Sequence, residues 1–136
     1  MALGIAQAAF EAAVDYARQR RQFGRPIGEF QLVQDMVADM ATEIDAARLL
    51  TYRAVKLLNQ QTLCDREVAM AKSYSTEMAV RVTSRAVQIH GAYGLSPEFL
   101  VERYFRDSRV LTIPEGTTEL QKLIIGRSVL GLSAFA

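Results

Sequence analysis

QLVQDMVADMATEIDAARLLTYRAVKLLNQ, residues 31–60, is the stretch whose reading decides the fold. Val33, Met36, Val37, Met40, Ile44, Ala47, Thr51, Ala54, Val55 and Leu58 recur at steps of three and four, so one face of a helix gathers them. Neither glycine nor proline interrupts the pattern. It predicts a single helix of about 30 residues, longer than most globular helices and typical of bundles.

The same period extends to either side. From about Ala2 to Arg20, a first helix places Leu3, Ala6, Phe10, Ala13, Val14 and Ala17 on one stripe. Two glycines and a proline in Gly24-Arg25-Pro26-Ile27-Gly28 make the next segment a loop. A third helix, roughly Asp65 to His90, carries Val68, Ala71, Ser75, Met78, Ala79, Val82, Ala86 and Ile89. Its face is rich in small residues, which lets neighbouring backbones approach closely. Gly91 stands where helices commonly exit through a left-handed residue. Ser96-Pro97 reads as an N-cap with proline at the first helical position, opening a short fourth helix to about Arg106. The last helix is expected near Thr118, with Thr118 and Gln121 as a capping box, Leu120, Leu123, Ile124, Arg127 and Leu130 as its stripe, and Gly131 as its stop. No alternating strand pattern appears. The expected fold is all-α, an up-and-down four-helix bundle with one additional short helix.

Composition narrows the function. The chain has 136 residues, enough for one domain with a real core. A net charge of +1 makes no electrostatic case for nucleic acid or an anionic membrane, which need clustered surplus cations. The apolar start lacks a basic leader, and Glu11 and Asp15 interrupt it, so it does not read as a signal peptide. No uncharged run approaches the roughly 20 residues that span a bilayer. The expectation is a soluble, cytoplasmic protein, and an apolar helix at the first residue hints at a longer parent chain. The lone Cys64 reads as a buried structural thiol. With one histidine, one cysteine and no carboxylate pair at metal spacing, no metal site is expected.

Two segments carry candidate chemistry, each with a plainer alternative. Arg18, Arg20, Arg21 and Arg25 cluster at the end of the first helix. They either complement the negative end of the helix dipole or grip phosphate with guanidinium forks. Glu115 lies in Ile113-Pro114-Glu115-Gly116-Thr117-Thr118, between a proline that fixes one angle and a glycine that frees the next. It is either an ordinary acidic residue before a helix or a carboxylate presented to a cavity beside free backbone N–H groups. His90, in the glycine-containing turn Gln88-Ile89-His90-Gly91-Ala92-Tyr93-Gly94, reads alone as a polar group at a helix end.

Arg20-Arg21-Gln22-Phe23-Gly24, Phe30-Gln31, the Gln88–Gly94 turn, and Arg106-Asp107 through Ile113-Pro114-Glu115-Gly116-Thr117-Thr118-Glu119-Leu120-Gln121 together resemble the C-terminal domain of the acyl-CoA dehydrogenases, in that family's order and spacing. The resemblance runs from about Gly4 to Arg127. It implies an FAD-dependent oxidation of an acyl-CoA thioester to the trans-2-enoyl thioester, in a homo-oligomer (dimer or tetramer) that passes electrons to an electron-transfer flavoprotein. It also implies that an N-terminal helical domain and a middle β-domain are absent here. By position, Glu115 is similar to the α-proton base and Gly116 to a residue lining the thioester end of the pocket. Arg20, Gln22 and Phe23 resemble contacts to the FAD diphosphate and adenosine across a subunit interface, and Phe30 and Gln31 resemble a neighbouring cofactor contact. Gln88, Ile89, Gly91 and Ala92 resemble the turn at the adenine end, and Thr117 and Glu119 resemble flavin contacts after the base. Pro114 stands where tyrosine is frequent, Ala92 where a second glycine is common, and Glu119 where glutamine is frequent. Two alternatives remain at this point: a flavin-dependent acyl-CoA oxidase, and a non-catalytic helical oligomerisation module that keeps the scaffold.

Overall fold

Alanine sets the geometry of the first helix. In the computed structural model, which describes residues 1–134, α1 (Ala2–Gln19) buries Ala2, Ala6, Ala9, Ala13 and Ala17. A stripe of methyl groups leaves little between the α1 backbone and its neighbour, α3 (Asp65–His90). α3 is the central element: it packs against α1, α2 (Gln31–Asn59), α4 (Val101–Val110) and α5 (Thr118–Leu130). Met78, Ala79, Val82, Ala86 and Ile89 of α3 meet Met40, Ile44 and Ala47 of α2 and the α1 alanines in one core. The all-α expectation holds.

A helix packed on several sides must satisfy the polar groups it buries. Thr83 Oγ1 and Ser108 Oγ, both fully buried, share a hydrogen bond at 2.9 Å between α3 and α4. The carbonyls of Ala79 (2.7 Å) and Val80 (3.2 Å) for Thr83, and of Phe105 (2.8 Å) for Ser108, are the other acceptors in reach. Between α2 and α3, Arg85 bridges Asp39 and Glu43 at 2.7 Å each, and Arg81 joins Glu43 at 2.7 Å. Cys64 is buried and unpaired, as expected. Among the described residues no helix is long and apolar enough to cross a membrane.

The structure corrects the sequence reading in three places. Residues 21–26 form a small hairpin rather than plain loop: β1 (Arg21–Gln22) pairs antiparallel with β2 (Arg25–Pro26). Phe23 (φ 52°) and Gly24 (φ 80°) supply the two left-handed turn residues that such a tight hairpin requires. Two-residue strands are too short to leave an alternating pattern. α4 starts at Val101 rather than at Pro97 and runs to Val110. The Ser96 hydroxyl instead accepts the Glu98 N–H at 3.3 Å within a separate turn. α5 does begin at Thr118, but Thr117 is its cap, accepting the Leu120 N–H at 3.4 Å. Thr118 Oγ1 turns away to donate to Glu77 at 2.6 Å. The expected α5 stripe is largely on the surface: Leu120, Leu123 and Leu130 are exposed, while Thr118 and Gln121 are buried. Val55, Leu58 and Val68 are exposed as well.

His90 closes the far end of the core. It is buried, its Nδ1 lies 2.8 Å from the Ala86 carbonyl, and its ring stacks on Tyr16 at 4.2 Å with Phe99 edge-on at 5.5 Å. Burial lowers its pKa from the ordinary 6.5, against the opposing pull of the Ala86 carbonyl. The unfolded chain therefore binds this proton first. The stabilisation is fully present above pH 6.5 and falls away as the pH drops below it, towards the folded value. Thermal melts of this chain should fall between pH 7 and pH 5, and His90→Gln should flatten that dependence; an unchanged slope in the variant would contradict it. Gly94 is buried, and a Cβ there would sit 2.5 Å from the Val87 carbonyl oxygen and 2.9 Å from its Cα. Gly94→Ala should destabilise the chain by roughly 1–3 kcal/mol in denaturant unfolding, because backbone must move to admit the methyl.

Candidate active site

Among the described residues Glu115 is one of three non-glycine residues with positive φ, at 58°, and Gly116 follows at φ 91°. A residue with a Cβ resists this region, so the turn between α4 and α5 must be held from outside. Its carbonyls show how. Lys72 Nζ on α3 donates to the Pro114 carbonyl at 2.9 Å and also to the Gly116 carbonyl. Gln121 Nε2 on α5 donates to the Glu115 and Gly116 carbonyls at 3.3 Å each. The Thr118 N–H returns to the Thr112 carbonyl at 3.2 Å and closes the loop. With the carbonyls turned inward, the backbone N–H groups of Glu115 and Gly116 have no acceptor among the described residues. Glu115 and Pro114 border a cavity of about 500 Å³ whose walls include Leu3, Thr51, Thr76 and Leu111. The arrangement presents a carboxylate and unused donors beside a largely apolar recess.

Thr117 and Glu119 lie on the same turn, both exposed. The Glu119 carboxylate accepts its own backbone N–H and the Thr117 hydroxyl, which holds it below the ordinary carboxylate range. Gly116 has little room: a Cβ would meet Gln121 Nε2 at 2.7 Å and Leu120 Cδ2 at 3.0 Å.

The remaining candidates gather elsewhere. Arg20 lies with its guanidinium 5.7 Å from the centre of the Tyr93 ring, tying the end of α1 to the turn after α3. Arg25 sits 4.2 Å over Phe30, Phe23 meets Phe30 edge-on at 6.2 Å, and Arg21 donates to the Gly24 carbonyl at 3.0 Å. Among the described residues no carboxylate pairs with Arg20, Arg21 or Arg25, so three guanidinium groups, two of them against aromatic rings, gather around the end of α1 and the hairpin. That donor set suits a diphosphate with an attached ring system. Phe23 is 90% exposed, and Gln22, Gln31, Gln88, Gly91 and Ala92 are exposed too. Ile89 is different. Its side chain belongs to the core, which leaves only its backbone to face a ligand. Gly91 takes φ 61° and ψ −138°, a conformation open to glycine almost alone.

The two groups occupy opposite ends of the bundle. Leu3, at the start of α1, borders the Glu115 cavity, whereas Arg20 follows the other end of this 18-residue helix, about 27 Å away at 1.5 Å per residue. α3 repeats the measurement: Lys72 holds the Glu115 turn, and His90 with Gly91 ends the helix at the arginine side. The structure thus joins Glu115 with Gly116, Thr117 and Glu119, and joins Arg20 and the hairpin with the Gln88–Ala92 turn. It does not bring the two sets together within one chain. Sequence reading missed Lys72 altogether and took Gln121 for a capping residue. A lysine that binds carbonyls more than 40 residues away leaves no local signal.

Comparisons agree with this architecture. Residues 1–130 match the family model of the acyl-CoA dehydrogenase C-terminal domain. The chain is 51% identical over 130 residues to an acyl-CoA dehydrogenase of Bacillus subtilis, covering 96% of this chain and 34% of that protein. It is 44% identical over 128 residues to subunit CarC of the caffeyl-CoA reductase–Etf complex of Acetobacterium woodii, covering 94% of this chain and 34% of that one. The structure matches butyryl-CoA dehydrogenase from Megasphaera elsdenii with a TM-score of 0.94 at 43% identity, over 95% of this chain and 34% of that chain. The chain therefore spans about a third of the length of the curated relatives it matches. With the helical fold, the residue order and the match over residues 1–130 in agreement, this chain belongs to the acyl-CoA dehydrogenase family, as its C-terminal domain.

Proposed function

We propose that this chain is the C-terminal third of an FAD-dependent acyl-CoA dehydrogenase in which Glu115 removes the α-proton of an acyl-CoA thioester. In this reading an N-terminal helical domain and a middle β-domain complete the subunit. The observation that carries it is the held left-handed turn: Glu115 at φ 58°, at the edge of a largely apolar cavity, beside backbone N–H groups with no acceptor among the described residues.

An α-proton next to a thioester is too weakly acidic for an unaided carboxylate. The Glu115 N–H supplies what is needed by donating to the thioester oxygen as negative charge develops there, while the carboxylate takes the pro-R proton. Gly116 lies at the thioester end in this reading, and its missing Cβ lets the turn form without striking Gln121 and Leu120. Bound FAD would supply the acceptor for the β-hydride. Thr117 and Glu119 line the flavin side of the turn. Arg20, Gln22, Phe23, Phe30 and Gln31, with Gln88, Ile89, Gly91 and Ala92, hold the diphosphate and adenine portion. Because these groups lie about 27 Å from Glu115 along α1, they serve the site of a second copy in a homo-oligomer. The electron acceptor in this reading is an electron-transfer flavoprotein.

A second reading, a helical association module without catalysis, is favoured by the exposed Leu120, Leu123, Val129 and Leu130 of α5. It gives no reason for the strain at Glu115. In the full-length enzyme, Glu115→Gln should lower turnover by at least about 10²-fold while FAD stays bound. Undiminished turnover in that variant would sink the assignment of the base. Reduction of electron-transfer flavoprotein, as against formation of peroxide, separates the dehydrogenase from an acyl-CoA oxidase.

A further inference from the structure

Lys72 is the only lysine or arginine among the described residues seen to donate to two carbonyls of one turn, and that turn is the strained one. It forms no ion pair with any carboxylate among the described residues. Its half-buried ammonium instead binds the carbonyls of Pro114 and Gly116, the residues on either side of Glu115. Pro114 fixes its own φ but not that of its neighbour. Relaxing Glu115 out of its left-handed conformation means rotating a flanking peptide. Rotating the Pro114–Glu115 peptide draws the Pro114 carbonyl away from Lys72 and leaves the ammonium short of a partner in a partly desolvated place, whereas the Glu115–Gly116 peptide carries the carbonyl that Gln121 holds. Gln121 Nε2, at 3.3 Å from the Glu115 and Gly116 carbonyls, resists the same motion from the α5 side. Lys72 also lines the cavity that Glu115 borders, so the clamp and the carboxylate share one wall.

We propose that Lys72 is a positioning residue for proton abstraction: by holding the carbonyls that flank Glu115, it fixes the carboxylate and its own N–H in register with the substrate. The proposal rests on Glu115 as the base. Lys72 touches no reacting atom. Its effect falls on the geometry of the proton transfer, where a displacement of about an ångström is felt as a large loss of rate.

The test uses the flavin-loaded full-length enzyme carrying Lys72→Met, Lys72→Arg or Glu115→Gln. Four quantities are read: flavin content, KM for the acyl-CoA, kcat, and exchange of the substrate α-proton with D2O in the absence of an electron acceptor. For Lys72→Met, kcat and α-proton exchange should fall together by about 10- to 100-fold, with flavin content unchanged and KM within about threefold. Lys72→Arg, which keeps charged N–H donors, should recover part of both. The proposal is overturned if Lys72→Met retains kcat and exchange within about twofold, or if its loss only tracks lost flavin. Should the methionine variant fail to fold, Lys72→Gln replaces it with the same two outcomes. Glu115→Gln separates the two assignments. If it keeps exchange, the base reading fails and the clamp with it; if it abolishes exchange while Lys72→Met does not, the clamp alone fails.

Discussion

The close approach of α1 to α3 across a stripe of alanines is the constraint on which the rest of the molecule depends. Ala2, Ala6, Ala9, Ala13 and Ala17 bury only a methyl group each, yet they lose no side-chain entropy on folding and let two backbones run side by side. The two helices therefore act as a ruler. At one end the first residues of α1 and Lys72 of α3 frame the Glu115 turn. At the other, Tyr16 stacks on His90 and Arg20 reaches Tyr93. A bulkier residue in the stripe would separate the helices and alter both ends together.

Backbone strain marks where local rules give way to something else. Among the described residues three non-glycine residues have positive φ: Phe23, Gln61 and Glu115. Gln61 is explained by the end of α2. Its N–H bonds to the Leu58 carbonyl at 2.9 Å and the Thr62 N–H to the Leu57 carbonyl at 3.1 Å, the pattern of a Schellman helix stop. Phe23 sits at the tip of the hairpin with its ring in solvent, and Glu115 sits in the turn held by Lys72 and Gln121. Both belong to segments whose residue types suggest binding or chemistry. Strain that no helix cap accounts for, at the two places already singled out, is the pattern expected of functional positions.

Much of this was legible in the sequence, for identifiable reasons. α1, α2 and α3 follow from long uninterrupted periodicity with glycine and proline stops. α4 was misplaced because Ser96-Pro97 is a sound cap signal that the chain uses for a turn. The α5 cap was displaced by one residue because Thr117 and Thr118 both fit, and only the Thr118–Glu77 bond separates them. The leucines of α5 repeat correctly, but among the described residues Leu120 and Leu123 are only partly covered and Leu130 lies largely in solvent, and periodicity alone does not say what an apolar stripe will meet. At the candidate site, the turn around Glu115 drew notice from Pro114 and Gly116 alone, whereas roles for the individual residues came only with the resemblance. The separation of the two site halves needed the length and pairing of α1 and α3.

That separation is the centre of the proposed reading, in which a complete site takes its base from one copy and its arginine edge from another. Complementation tests this most directly. Full-length Glu115→Gln and Arg20→Glu subunits, each inactive alone, are co-expressed and co-purified with FAD. In a random mixture half of the dimers are mixed, and each mixed dimer rebuilds one of its two sites, so about a quarter of wild-type turnover should return. A mixture of confirmed mixed dimers that stays as inactive as its parents would contradict the account.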